Sequence, residues 1–476
     1  MTTIVWFRRD LRLADHSPLR MACERGGPVL PLFIWDPTRT PWATGAASRV
    51  WLHHSLHALA QSLEALGSRV LLRIGPPEAV LAALAEETRA TALVFNRRLE
   101  PAERELEARI ARRLGSRLDI ETGGDAVLID PAALHTAERQ PYRVFTPFWR
   151  RLREVCRPPS PASPPRRLVA PATWPAGATL ADLGLLPRLG WDRGITDSWQ
   201  IGERAAAQRL DAFVADGAAD YAVQRDFPGV DGVSRLSPHL HFGEVSPRQV
   251  WHAVAAHAAA QGQMTVPETH VAWLRQLVWR EFAQHLLAHF PATTDAPLRE
   301  DFAHFPWVED PDGLARWQRG ETGFPIVDAG MRELWHTGWM HNRVRMIVAS
   351  FLTKDLGVHW LAGARWFWDT LVDADLANNT LGWQWTAGCG ADAAPYFRVF
   401  NPILQSTRFD PEGSYLRRWL PALARLPAAD IHAPWQAPPL TLAAAGVRLG
   451  VDYPAPMLDH GAARTAALAR LKRAQP

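Results

Sequence analysis

Four short apolar runs near the N-terminus constrain the fold most. They are residues 3–7 (TIVWF), 29–35 (VLPLFIW), 69–74 (RVLLRI) and 92–96 (ALVFN). Each is rich in large or β-branched apolar side chains and bounded by polar residues, as strands are. Between them, residues 46–66, 77–85 and 101–114 carry apolar residues at helical spacing. Strands alternating with helices predict a parallel sheet wound on both faces, a Rossmann-like α/β domain over residues 1–130. Ligands of such sheets bind beyond the carboxyl ends of the strands. Arg8, Arg9, Asp10, Leu11 and Arg12, with Asp15 and His16, follow the first run and could line that crevice. A loop held by Arg–Asp pairs is an equal reading of the same residues. No GxGxxG follows the strand, so the usual dinucleotide fingerprint is absent.

The chain has 476 residues, which suggests two or three domains. With 47% hydrophobic and 21% charged residues it is globular in composition. No apolar run reaches the roughly 18 residues of a membrane helix, and the N-terminus lacks a signal-peptide core. Cys23, Cys156 and Cys389 are odd in number and far apart. They suit a reducing cytoplasm and cannot ligate an iron–sulfur cluster. Nearly every basic residue is Arg, with Lys at 354 and 472 alone. Arg gives bidentate phosphate contacts, although a high-GC genome produces the same bias. The 22 tryptophans, most of them after residue 190, exceed what packing asks for. Stacking on a flat ligand or passing electrons would use them.

Residues 131–200 read as a connector, and the Pro-rich part from 157 cannot be a regular element. Trp174 and Trp191 are candidates to pin it down. From 201 to 476 the pattern is helical. Residues 202–215 make one helix. Ser234 and Ser237 precede another, as a helix cap or a phosphate site. Residues 270–290 form a strong amphipathic helix with Trp273, Gln276 and Arg280 on one face. No Ser-His-Asp, HExxH, Walker or CxxC pattern occurs, so the chemistry must come from a cofactor.

Residues 369–402 carry the densest signal. Asp373 and Asp375 precede Asn378 and Asn379, then Trp383-Gln384-Trp385 and Asp392 to Pro402, DAAPYFRVFNP. On a helix Asn379 and Trp383 share a face, and Trp385 points roughly opposite. This stretch resembles the signature of the DNA photolyase/cryptochrome family. The opening WFRRDLR, VSRLS at 233–237, the WREF helix and 323–355 (GFPIVDAGMRELWHTGWMHNRVRMIVASFLTKD) extend the likeness over nearly the whole chain.

The resemblance implies an α/β antenna domain and an all-α FAD-binding domain. FAD would be held by Tyr221, Val233, Ser234, Arg235, Leu236, Ser237, Trp273, Arg280, Asn342, Arg345, Asp373, Asp375 and Asn379. Val233 replaces the usual Thr and costs one hydroxyl. Arg345 would pair with the Asp373/Asp375 region. Damaged DNA and its lesion would meet Arg225, Gln276, Trp279, Arg343, Met346 and Trp385. Trp383, Trp360 and Trp307 match the family's electron relay, and Asn379 the amide facing the flavin. Reduced FAD would pass an electron, under blue light, to a flipped-out cyclobutane pyrimidine dimer. A sensor of the cryptochrome type or a (6-4) photolyase are the alternatives. The family's (6-4) enzymes place two histidines where Asn342 and Met346 stand, so the dimer reading is preferred. Gln276 stands where repairing bacterial members usually have Glu. Glu103 matches an acidic folate position whose usual Asn neighbour is here Ala102, so a second chromophore, methenyltetrahydrofolate or deazaflavin, stays open. A modest C-terminal tail without a signalling extension favours repair. A cytoplasmic monomer is expected.

Overall fold

The computed structural model describes residues 2–38, 41–393 and 397–474. The chain divides into two compact units. The first joins Met1–Ala219 to Ser234–Pro291 and Val372–Ala377; the second joins Asp220–Val233, Ala292–Leu371 and Asn378–Pro476. This division by compactness cuts the chain elsewhere than at 130 and 200, because helices after residue 200 pack with the N-terminal part.

The first unit is built on the expected sheet. Strands β1 (Thr2–Phe7), β2 (Val29–Trp35), β3 (Leu71–Ile74), β4 (Ala90–Asn96) and β5 (Asp119–Gly123) lie in the order β3-β2-β1-β4-β5. Every pairing is parallel. β5 was not expected: its sequence, DIETG, has neither an apolar run nor alternation, and it sits at an edge. Helices Ala46–Ala65, Pro77–Thr88 and Pro101–Leu114 connect the strands as expected. An unforeseen helix, Ser17–Glu24, starts where the His16 ring accepts the Leu19 N–H at 3.0 Å. Ile4, Trp6, Leu32, Leu93 and Phe95 are fully buried with Leu81, Leu84 and Ile110 from the helices. Trp6 meets Phe95 edge to face at 5.4 Å, an arrangement that aromatic quadrupoles favour.

The Pro-rich connector follows this unit closely. Val169 C=O accepts from Val29 N–H at 2.8 Å, and Ala178 N–H donates to Leu72 C=O at 2.9 Å. Arg69 lies over the Trp174 ring at 4.6 Å, so Trp174 is pinned. The Pro-rich run 157–180 holds no helix or strand, while the rest of the connector does: Phe145–Val155 precedes it, and Ala181–Leu183, Gly190–Asp192 and Arg193–Ser198 follow it as short helical turns. Helices Glu203–Ala212, Pro247–Ala260 and Glu268–His289 complete the unit. Ser246 and Gln249 form a reciprocal capping box at the second of them.

The second unit is helical among its described residues. It contains Pro311–Arg319, Pro325–Thr337, Asn342–Ser350, Trp360–Thr370, Leu376–Ala387 from Asn378 onward, Pro402–Phe409 and His460–Ala474. A π-helical turn, Phe351–Asp355, follows Asn342–Ser350. Buried Asp328 accepts from Thr322 N–H and Oγ1, from Gly323 N–H and from the Tyr453 hydroxyl at 2.6 Å. Four donors meet that carboxyl, yet burial still raises it above its ordinary range.

Glu281, on helix Glu268–His289, is 2% exposed. It accepts from Leu128 N–H at 2.7 Å and from Arg280 Nη1 at 3.2 Å. Burial outweighs these partners and pushes its carboxyl up from 4.5 to about 7. The folded state therefore binds this proton more tightly than the unfolded chain. Stability falls as pH rises from the unfolded value to about 7 and stays lower above it, by up to about 3 kcal/mol. Glu281→Gln removes the titration and keeps an acceptor. The expected result is that the wild-type loses more thermal stability than the variant between about pH 5 and about pH 8; parallel curves in calorimetry would refute it.

Candidate functional site

In the first unit, the residues after β1 form both of the things the sequence left open. Asp10 accepts from Arg8 N–H at 2.7 Å, Asn96 Nδ2 at 2.7 Å and the His16 ring at 3.0 Å. Burial works against its charge, yet His16 and these bonds hold the carboxyl well below the ordinary range. Arg8 pairs with Glu103 and Glu107, so the acid at the folate-like position has a cationic partner. Asp15 accepts from Ser246 Oγ at 2.5 Å and Arg248 Nε at 3.0 Å. Arg8, Arg9, Asp10, Arg12, Arg98 and Arg280 also line one cavity.

His241 marks a focus of positive charge. It is buried, and neither ring nitrogen has a hydrogen-bond partner among the described residues. Burial first, then Arg9, Arg98 and Arg280, push it well below its ordinary value, so the ring is neutral. Arg280 Nη1 also donates to Ala126 C=O at 2.8 Å. Asp373 and Asp375 are both buried. Gln284 Nε2 reaches the two Asp375 carboxylate oxygens at 3.1 and 3.4 Å. Asp375 also supports the charges of Arg9 and Arg98. Arg235 sits at φ 50 in the turn Ser234–Leu236, while Ser234 is half-buried and Ser237 exposed. Trp273 is buried 4.9 Å from the Phe213 ring. Trp279 is half-buried and stacked flat on Phe145, centroids 3.7 Å apart and planes 5° from parallel. Gln276, half-buried, bonds weakly to Ala272 C=O at 3.4 Å.

In the second unit, four expected contact residues gather. Met346 Sδ lies 3.9 Å from both Asn342 Nδ2 and Arg343 Nη1. Arg343 also donates to Asp226 at 2.7 Å and lies over the Phe409 ring at 4.3 Å. Arg225 is 3.8 Å from the same Asp226 and lies over Tyr221. Tyr221 is buried, and burial pushes its hydroxyl up to about 12. Val233 is half-buried. Arg345 Nε donates to Met340 C=O at 2.7 Å. The Asn379 amide donates to Ala364 C=O at 3.0 Å. Trp385, half-buried, donates its indole N–H to Asp392 C=O at 3.1 Å. The DAAPYFR stretch is described in part; Ala394, Pro395 and Tyr396 lie outside the described residues.

Trp383 and Trp360 are buried and Trp307 half-buried. Two rings that sequence reasoning missed join them. His359 lies 5.0 Å from Trp307 and 5.6 Å from Trp360. Trp317, fully buried, lies 6.1 Å from Trp383. Arg9, Arg98 and His241 were also missed as one cluster. They come from three distant segments, and nothing in their local spacing brings them together.

A family profile described as the FAD-binding domain of DNA photolyase matches residues 273–473, and one for DNA photolyase matches 3–166. A deoxyribodipyrimidine photo-lyase of Agrobacterium fabrum is 46% identical, over 98% of this chain and 96% of its own length. Cryptochrome-2 of Arabidopsis thaliana is 37% identical over 99% of this chain and 79% of its own. The crystal structure of a class III photolyase from Agrobacterium tumefaciens superposes with a TM-score of 0.96 at 45% identity, covering 100% of this chain and 98% of that one. The chain belongs to the DNA photolyase family, whose cofactor is FAD. The residues of the first unit fit such a group: Arg9, Arg98 and Arg280 suit a diphosphate, and the buried carboxylates of Asp373 and Asp375 suit a polar ring edge.

Gly363 tests how Trp383 is held. A β-carbon at Gly363 would stand 2.1 Å from the Trp383 ring. Gly363→Ala should cost about 1–3 kcal/mol, as overpacked cores do. It should also slow light-driven reduction of bound oxidised FAD towards the level of Trp383→Phe. Wild-type photoreduction in both variants would remove Trp383 from the relay.

Proposed function

We propose that this chain repairs cyclobutane pyrimidine dimers in DNA under blue light. The observation that carries the reading is the Asn342–Arg343–Met346 cluster. It presents an amide, a guanidinium and a thioether where a (6-4) enzyme needs imidazole proton donors. Dimer splitting needs an electron but no obligatory acid.

FAD, when bound in its reduced form, supplies that electron. Arg9, Arg98 and Arg280 would hold its phosphates, with Ser234, Ser237 and Arg235 alongside. Asp373, Asp375, Arg345, Asn342 and Asn379 would set the charge and hydrogen bonding around its ring, and Tyr221, Val233, Leu236 and Trp273 would enclose it. Trp279 and Trp385 offer apolar faces to an unstacked base, and one face of Trp279 is already occupied by Phe145. Gln276 would hydrogen-bond the lesion without adding charge. Trp383, Trp360 and Trp307 would return electrons to oxidised flavin. Residues 1–130 would serve as the antenna domain and 201–476 as the catalytic one.

The test is repair of defined oligonucleotides under blue light after flavin reduction. Recovery of a cyclobutane dimer but not of a (6-4) photoproduct is expected, with Gln276→Glu as good or better. Repair of the (6-4) lesion alone would overturn the assignment. Repair of neither, with flavin photoreduction intact, would favour a photoreceptor.

Arg225 and Arg343 are the proposed phosphate contacts, and Asp226 competes for both. Arg343→Ala should weaken binding to undamaged DNA and lower the salt slope by about one. Asp226→Asn should tighten binding, because it releases both guanidiniums. Titrations showing no change in either variant would take these residues off the DNA face.

A further inference from the structure

Lys354 is one of two lysines in a chain with 52 basic residues, and it is 1% exposed. It lies in the π-helical turn Phe351–Asp355, a local geometry often kept for a purpose. Its Nζ donates to Ala387 C=O at 2.5 Å. Ala387 is the last residue of helix Leu376–Ala387, so this carbonyl has no partner further along the helix. The same Nζ lies 3.0 Å from the centroid of the Phe397 ring. One amine therefore joins the two ends of the segment 387–397.

The next two carbonyls are also taken. Arg299 Nη1 donates to Gly388 C=O at 3.2 Å, and Arg299 N–H to Cys389 C=O at 2.9 Å. Lys354 is itself held by Arg470, which donates to its carbonyl at 2.7 Å. Inside the segment, Asp392 C=O accepts the Trp385 indole N–H. Trp385 thus depends on a stretch whose ends meet at Lys354. Burying an amine is costly, and burial does push Lys354 well below the ordinary lysine range. A helix-end carbonyl and an aromatic face are the two groups that offset that cost here.

We propose that Lys354 is a positioning residue for lesion binding: it ties the end of helix Leu376–Ala387 to Phe397 and so fixes the orientation of Trp385. The proposal rests on the reading that Trp385 faces the lesion.

Lys354→Met keeps the length of the side chain and removes the donor. It should raise the dissociation constant for a dimer-containing oligonucleotide by about tenfold, with the loss falling on affinity rather than on the repair rate at saturation. Phe397→Leu, which leaves Lys354 in place, should shift affinity the same way by less, and serves if the Met variant folds poorly. In a double-mutant cycle the Lys354→Met effect should largely vanish in a Trp385→Ala background. Wild-type affinity in Lys354→Met, or full additivity with Trp385→Ala, would overturn the proposal. If Trp385→Ala alone binds the dimer normally, the lesion reading of Trp385 has failed. Exchange of the Trp385 indole proton, followed by NMR, then decides the clamp: faster exchange in Lys354→Met supports it, and unchanged exchange overturns it.

Discussion

Taking charge out of water without a partner costs several kcal/mol, and both units are arranged around that constraint. In the first unit, Asp10, Asp15, Asp125 and Asp375 are buried, and the basic side chains gather where these acids are. Arg248 pairs with the carboxylates of both Asp15 and Asp125. In the second unit, Asp328 is met by hydroxyls and backbone N–H groups instead. The consequence is positional: each buried charge fixes the backbone that supplies its partner. Arg8, Arg12 and Asn96 therefore hold the loops beyond the sheet in one arrangement before any ligand arrives, which is the preorganisation a bound charge requires.

The second unit solves a different problem with rings. Trp317, Phe367 and Trp383 meet at 5.0–6.2 Å, nearly perpendicular in the contacts of Trp383. Trp317 also satisfies its N–H on Val348 C=O at 3.0 Å. Such packing is dense enough that Gly363 is required simply because no β-carbon fits.

Much of this was legible in the chain. The first four strands and three of the helices between them follow from apolar periodicity, because burial on a sheet and burial on one helix face leave different repeats. β5 was illegible, since Asp119 and Glu121 make an edge strand look like a loop. Helix Ser17–Glu24 was hidden by a His cap, which lies outside the usual Ser, Thr, Asp and Asn set. At the site, Asp373, Asp375, Asn379 and Trp383 stood out because they share one short motif, although Gln284, which meets Asp375, is 91 residues away. Motif spacing could not find the Arg9–Arg98–His241 cluster, nor Asp226 between Arg225 and Arg343, because those contacts join segments far apart in sequence.

Lys354 shows why residue choice carries information even where spacing does not. A genome that writes Arg almost everywhere has kept Lys at a fully buried position. The difference is shape. A guanidinium is a flat fork that needs several acceptors in its plane. The pocket at Lys354 offers one carbonyl, Ala387, and one ring face, Phe397, on different sides of a point. A compact amine on a four-carbon stem satisfies both at once, whereas a guanidinium buried there would leave most of its five N–H groups unmet. The position therefore selects against the side chain that the rest of the protein prefers, and that selection follows from the geometry of the turn it holds.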